Sequence, residues 1–89
     1  MAWKVELSNL ARKNLDQLDP QVSKRIMVFL LSKIAISDNP RNVGSALKGS
    51  ELGEFWNYRV GDYRVIAQIL DAEVKILVVK ISNRKQVYR

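Results

Sequence analysis

Neither cysteine nor histidine occurs among the 89 residues of the chain. The first absence rules out disulfides and thiolate metal sites, and nothing points to an oxidising compartment. The second removes imidazole as general base, as metal ligand and as the proton acceptor of a Ser-His or Cys-His pair. Any chemistry must therefore run on Lys, Arg, Tyr or carboxylates. Long apolar runs are missing too. The most apolar stretch, Ile26 to Ile36, falls well short of the roughly 20 residues that span a bilayer and is interrupted by Ser32 and Lys33. A core helix is expected there. The opening Met1-Ala2-Trp3-Lys4-Val5-Glu6 lacks the apolar region and small-residue cleavage site of a secretory signal, so a cytoplasmic protein with no membrane partner is expected.

A hydrophobic share of 47% suits a packed globule, and a chain of this length has room for one core. A single domain over residues 1–89 is expected. The net charge of +6 favours an anionic partner, because clustered Lys and Arg gain affinity from phosphates through counterion release. Its distribution is uneven: Lys75, Lys80, Arg84, Lys85 and Arg89 follow Val74 with no Asp or Glu among them. A solvated basic tail would give the same pattern.

Trp3 to Leu7 alternates apolar and charged residues, as a half-buried strand does. Ser8 then offers an N-cap for a helix to Leu18, with Leu10, Ala11, Leu15 and Leu18 at helical spacing. Asp19-Pro20 stops that helix and starts another, expected to reach about Ser37. Its inward stripe is Val22, Ile26, Phe29, Leu30 and Ile34, widened by Met27, Val28 and Leu31. Asp38-Asn39-Pro40 ends it, and a polar loop with Gly44, Gly49 and Gly53 follows. From Phe55 the period changes to two, predicting strands at 55–60, 63–70 and 74–81 joined by Gly61-Asp62 and Asp71-Ala72-Glu73. The expected fold is α+β, ordered βααβββ, an antiparallel sheet with both helices on one face.

A two-residue turn at Gly61-Asp62 places Arg59 opposite Arg64. Like charges directly across strands are destabilising, so a sheet that keeps them points to an anion held between them. With a three-residue second turn, Lys80 falls opposite Arg64 on the same face. The other face, with Trp56, Tyr58, Tyr63, Val65, Ala67, Ile69, Leu77, Val79 and Ile81, is expected to be the core. Solubility alone could explain the arginines, although mixed signs would serve it better. Tyr88 adds an aromatic to the basic ending, where it suits either base stacking or packing. RNA cleavage needs no histidine in principle. A 2′-OH attacks the adjacent phosphate, a base takes its proton and cations stabilise the charge that builds up. The carboxylates near this face in sequence, Glu51, Glu54 and Asp62, sit at no paired spacing, which argues against glycosidase-like or metal-dependent schemes.

Three segments together resemble the RelE toxins of the RelE/ParE superfamily: Leu47-Lys48-Gly49, Trp56 through Arg64, and Asn83-Arg84-Lys85-Gln86-Val87-Tyr88. Their order and spacing run nearly the whole chain. The Tyr58-to-Arg64 hairpin is shared in diluted form across the superfamily, and its combination with the basic, tyrosine-bearing ending is more specific. The resemblance implies cleavage of mRNA in the ribosomal A site without metal or other cofactor, and neutralisation by an acidic, RelB-like antitoxin that wraps the toxin. Carried over by position, Arg59 and Arg64 bind and stabilise the phosphate, Arg84 is the general acid, and Tyr88 stacks on or orients the substrate. Lys48 touches RNA or ribosome. Apart from that carry-over, Asn57 and Lys80 on the sheet and Lys85 in the basic ending are expected to help bind RNA or ribosome.

Two positions depart from the family pattern. Asn57 replaces a lysine that is a candidate general base, and an amide takes no proton at neutral pH. Asn83 stands where histidine or lysine is frequent. Two alternatives follow: a ParE-like inhibitor of DNA gyrase, and a non-catalytic module that blocks ribosomes by charge and stacking.

Overall fold

Ser8 both ends the first strand and starts the first helix. In the computed structural model, which describes residues 2–47 and 55–83, β1 (Lys4–Leu7) leads into α1 (Asn9–Gln17). The Ser8 oxygen accepts a 3.0 Å hydrogen bond from the Ala11 N–H, and its hydroxyl donates to the Val79 carbonyl at 2.7 Å. One side chain thus caps the helix and ties it to the sheet. Asp19 caps α2 (Pro20–Phe29) by accepting from the Gln21 N–H at 2.9 Å, with Pro20 in the first turn.

The helix expected to continue to about Ser37 changes pitch after Phe29. Leu30–Ile34 form a π turn in which the Ala35 N–H donates to the Leu30 carbonyl at 2.9 Å. Leu30 and Ile34 are both fully buried. The stripe is narrower than its composition suggests: Val28 and Leu31 are 53% and 52% exposed, because a helix lying on a sheet buries only the side that faces it.

The remaining strands are β2 (Ser45–Ala46), β3 (Phe55–Val60), β4 (Tyr63–Leu70) and β5 (Lys75–Asn83), in the order β1-β5-β4-β3-β2. The α+β class and the β3-β4-β5 meander agree with the pattern of the sequence. The sheet is mixed rather than wholly antiparallel, because β1 pairs parallel with β5 from Lys4↔Lys75 to Leu7↔Val78. Ala11, Ile26, Leu30 and Ile34 from the helical layer meet Tyr58, Val65, Ala67, Ile69, Ile76, Val78 and Ile81 from the sheet. Trp56 and Tyr63 pack half-buried at the margin of this core.

Two irregularities change the predicted faces of β5. Asp71–Glu73 form a 3-10 turn and Val74 adopts a left-handed conformation at φ 50°, so four residues separate Leu70 from its partner Lys75. This extra residue inverts the alternation, and Ile76 and Val78 point to the core where Leu77 and Val79 were expected. A bulge at Val79 inverts it again: Ala67 pairs with Val78 but Ile66 pairs with Lys80, and Ile81 returns to the core as expected.

The segment before β2 is pinned across the sheet. The Tyr58 hydroxyl donates to the Pro40 carbonyl at 2.8 Å, the Trp56 indole N–H donates to the Val43 carbonyl at 2.6 Å, and Arg41 grips Asp71 with two bonds of 2.9 and 2.8 Å. Gly44, at φ +78°, lies so close that a Cβ there would stand 2.4 Å from the Asn57 carbonyl oxygen. Gly44→Ala should therefore lower stability by at least about 2 kcal/mol in urea titration, since the left-handed penalty of about 1–2 kcal/mol adds to a clash with backbone. Tyr58→Phe, which orphans one carbonyl, should cost about 1–2 kcal/mol. An unshifted urea midpoint for Gly44→Ala would show that the close contact is not maintained.

Candidate nucleic-acid interface

The Gly61-Asp62 hairpin sets the central feature. Gly61 has φ +59°, which a tight turn of this kind requires, and the register places Arg59 opposite Arg64 and Val60 opposite Tyr63. The two arginines stand side by side on the face turned away from the helices, as the spacing predicts. Lys80 does not complete their row. Ser82 lies opposite Arg64, while Lys80 lies opposite Ile66, because the longer second turn and the Val79 bulge together move β5 by two residues. Asn57 pairs with Ile66 from the other side. The face thus carries two adjacent rows, Arg59–Arg64–Ser82 and Asn57–Ile66–Lys80.

These rows hold charge without internal compensation. The ion pairs Arg41–Asp71, Lys75–Glu6 and Lys75–Glu73 use none of Arg59, Arg64 and Lys80, and those three make no ion pair among the described residues. The hydrogen bond from Arg41 holds the Asp71 carboxyl below its ordinary range, and the bond from Lys75 does the same for Glu6. Arg59 and Lys80 are exposed, whereas Arg64 and Asn57 are half-buried. The Nε of Arg64 and the Oδ1 of Asn57 are both shielded from solvent without a hydrogen-bond partner. A buried polar group left open costs about 1–3 kcal/mol, and more when it belongs to a charged side chain. One open donor and one open acceptor thus lie in adjacent rows of a basic face, an arrangement that native structures seldom keep.

Two further cations, absent from the sequence-based site, join Arg59 around the edge of β3. Arg25 and Lys33 flank a cleft of about 300 Å³ floored by Val28 and Phe29. The hairpin approaches so closely that a Cβ on Gly61 would stand 3.3 Å from the Arg25 guanidinium. The spacing of Arg25, Phe29 and Lys33 places all three along one helix face, a signal readable in the sequence. Tyr58, by contrast, belongs to the core. Burial pushes its hydroxyl up to about 12, and the ring meets Phe29 edge-on at 6.1 Å. Lys48, Arg84, Lys85 and Tyr88, like Glu51 and Glu54, lie outside the described residues. No helix among the described residues is long and apolar enough to cross a membrane.

Comparison with known proteins agrees with this architecture. A family model described as the ParE toxin of the type II toxin-antitoxin system parDE matches residues 5–88. Toxin RelG of Mycobacterium tuberculosis is 27% identical over 89 residues, spanning 100% of this chain and 99% of its own. Among solved structures, the toxin-antitoxin complex RelBE2 of Mycobacterium tuberculosis contains a chain that superposes with a TM-score of 0.83 at 24% identity, over 94% of this chain and 93% of that one. The archaeal RelE-RelB complex from Pyrococcus horikoshii gives a TM-score of 0.74 at 24% identity, over 94% and 97%. The likeness to the solved structures is one of fold, and the match from residue 5 to residue 88 is one of family: the chain belongs to the ParE toxins of type II toxin-antitoxin systems, within the RelE/ParE superfamily.

Proposed function

We propose that the protein is a metal-independent endoribonuclease that cleaves mRNA in the ribosomal A site, thereby arresting translation, and that an acidic RelB-like antitoxin holds it inactive. The observation that carries this reading is the Arg59–Arg64 pair, two cations side by side that make no ion pair among the described residues. In the reaction, the 2′-oxygen of one nucleotide bonds to the adjacent phosphorus and the bond to the 5′-oxygen breaks. The 2′-hydroxyl gives its proton to a base, and the departing oxygen takes one from an acid. Charge grows on the non-bridging phosphate oxygens, where Arg59 and Arg64 would act as preorganised cationic donors. Arg84 and Tyr88 keep the roles implied by their place in the family motif, as general acid and substrate-orienting residue. Lys48, Lys80 and Lys85 would hold RNA or ribosome by charge. Dependence on the ribosome is what the resemblance to the RelE toxins implies. A chain without histidine and without an assigned base gains most from a partner that presents the RNA in a reactive geometry.

The description of the matched family as ParE favours a second reading, inhibition of DNA gyrase. Mapping mRNA 5′ ends after brief expression without an antitoxin separates the two. The nuclease reading expects new ends within codons of ribosome-bound messages and little cutting of the same RNA when naked. Intact mRNA together with broken or stalled chromosomal DNA would establish the gyrase reading, and intact mRNA in translationally arrested cells would establish binding alone.

A further inference from the structure

We infer that the groove beside the uncovered half of β5 reads the nucleobase next to the scissile phosphate and so helps decide which codons are cut. This rests on the endoribonuclease reading above. β1 covers β5 only as far as Val78, and the Ser8 N–H donates to the Val78 carbonyl at 2.9 Å where that cover ends. Beyond it, α1 lines the edge of the strand, and the Ile81 N–H donates to Asn14 Oδ1 at 3.0 Å. Since only the oxygen of an amide can accept, this bond fixes the orientation of the Asn14 side chain and leaves its Nδ2 group as a donor. The groove encloses about 590 Å³, with Asn14, Gln17, Tyr63, Lys80, Ile81 and Ser82 among its walls.

The chemistry of those walls fits a base better than it fits a bare phosphate or an acidic peptide. Among the described residues Lys80 is the one cation lining the groove, beside three amides, two hydroxyls and apolar surface. The Tyr63 ring and Ile81 offer apolar surface to a planar ring, and the three amides of Asn14, Gln17 and Asn83 and the two hydroxyls surround its edge. The polar ends of Gln17, Tyr63, Lys80 and Ser82 make no hydrogen bond or ion pair among the described residues. Position completes the argument. Ser82 belongs both to this groove and to the row Arg59–Arg64–Ser82, so a phosphate held at Arg64 lies one strand spacing, about 4.8 Å, from the groove's rim. The nucleotide that follows the phosphate over the edge of β5 enters the groove. Among the described residues whose polar ends are open, Gln17, Tyr63, Lys80 and Ser82, donors outnumber acceptors, which favours base edges rich in acceptors.

The test is single-turnover cleavage on ribosomes programmed with a panel of A-site codons, comparing the wild-type chain with Gln17→Ala and Gln17→Glu. Gln17 is exposed on α1, so both variants should melt as the wild type does. The expected result is a change of spectrum: Gln17→Ala compresses the ratio between best and worst codons by roughly tenfold, the discrimination carried by one base-edge contact. Gln17→Glu, which replaces the amide donor with an acceptor, should reorder the panel. Identical codon ratios for all three proteins would overturn the pocket and leave the nuclease reading standing. Absence of cleavage by the wild-type chain at every codon would overturn both.

Discussion

Arg64→Ala is expected to cut A-site mRNA about 10²–10³-fold more slowly than the wild type in single turnover, the usual loss when one preorganised donor to a developing oxyanion is removed. Its ribosome affinity should fall far less, because many other cations remain on the chain. The sign of the accompanying stability change is the discriminating part. Arg64 stands beside Arg59 and keeps a shielded Nε without a partner. Both features burden the folded state, one through like charges across strands and one through an open buried donor. Truncating the side chain relieves both, so the melting temperature should hold or rise while activity collapses. Arg64→Lys should restore the charge but only part of the rate, since an ammonium cannot bind two phosphate oxygens in the fixed geometry of a guanidinium. A variant that lost activity and stability together would mark Arg64 as structural and remove the main support for phosphate binding on this face.

How far the site could be read from sequence depended on whether its placement was local. The Arg59–Arg64 pair was legible because a two-residue turn fixes register over the few residues on either side. The Ser8 and Asp19 caps were legible for the same reason, each being a contact within one helical turn. Lys80 was misplaced because its partner depends on two irregularities that alternation does not encode. Val74 in a left-handed conformation lengthens a turn, and Val79 bulges out of an otherwise regular strand. Valine is a poor signal for either, since its β-branched side chain favours extended backbone. The parallel pairing of β1 with β5 was not legible, as it joins residues about seventy positions apart through contacts that leave no local pattern. The Asn14 bond to Ile81 escaped for the same reason, and with it the groove at the edge of β5.

Asn57 raises the question of how this face accepts a proton. Its Oδ1 is shielded and without a partner, and its row runs through Ile66 to Lys80. An amide oxygen can accept a hydrogen bond but cannot take a proton at neutral pH. If that proton transfer limits the reaction, Asn57→Lys should raise the single-turnover rate by some part of the ~10²–10⁴-fold that general acid-base catalysis contributes. A lysine there would sit near Arg59 and Arg64, whose positive charge favours the neutral amine and so supplies a base at moderate pH. The rate should consequently rise with pH more steeply in the variant than in the wild type. Binding has to be measured beside the rate, because an added cation also adds a phosphate contact and would lower the half-saturating toxin concentration without touching the chemical step. Tighter ribosome binding with an unaltered saturating rate would eliminate the missing base as the limit. Lys80→Ala then becomes the informative variant. Loss of rate at saturation with an unchanged codon spectrum would place the base in this same row, on the opposite side of Ile66, while an unchanged rate would leave catalysis to phosphate charge and substrate orientation.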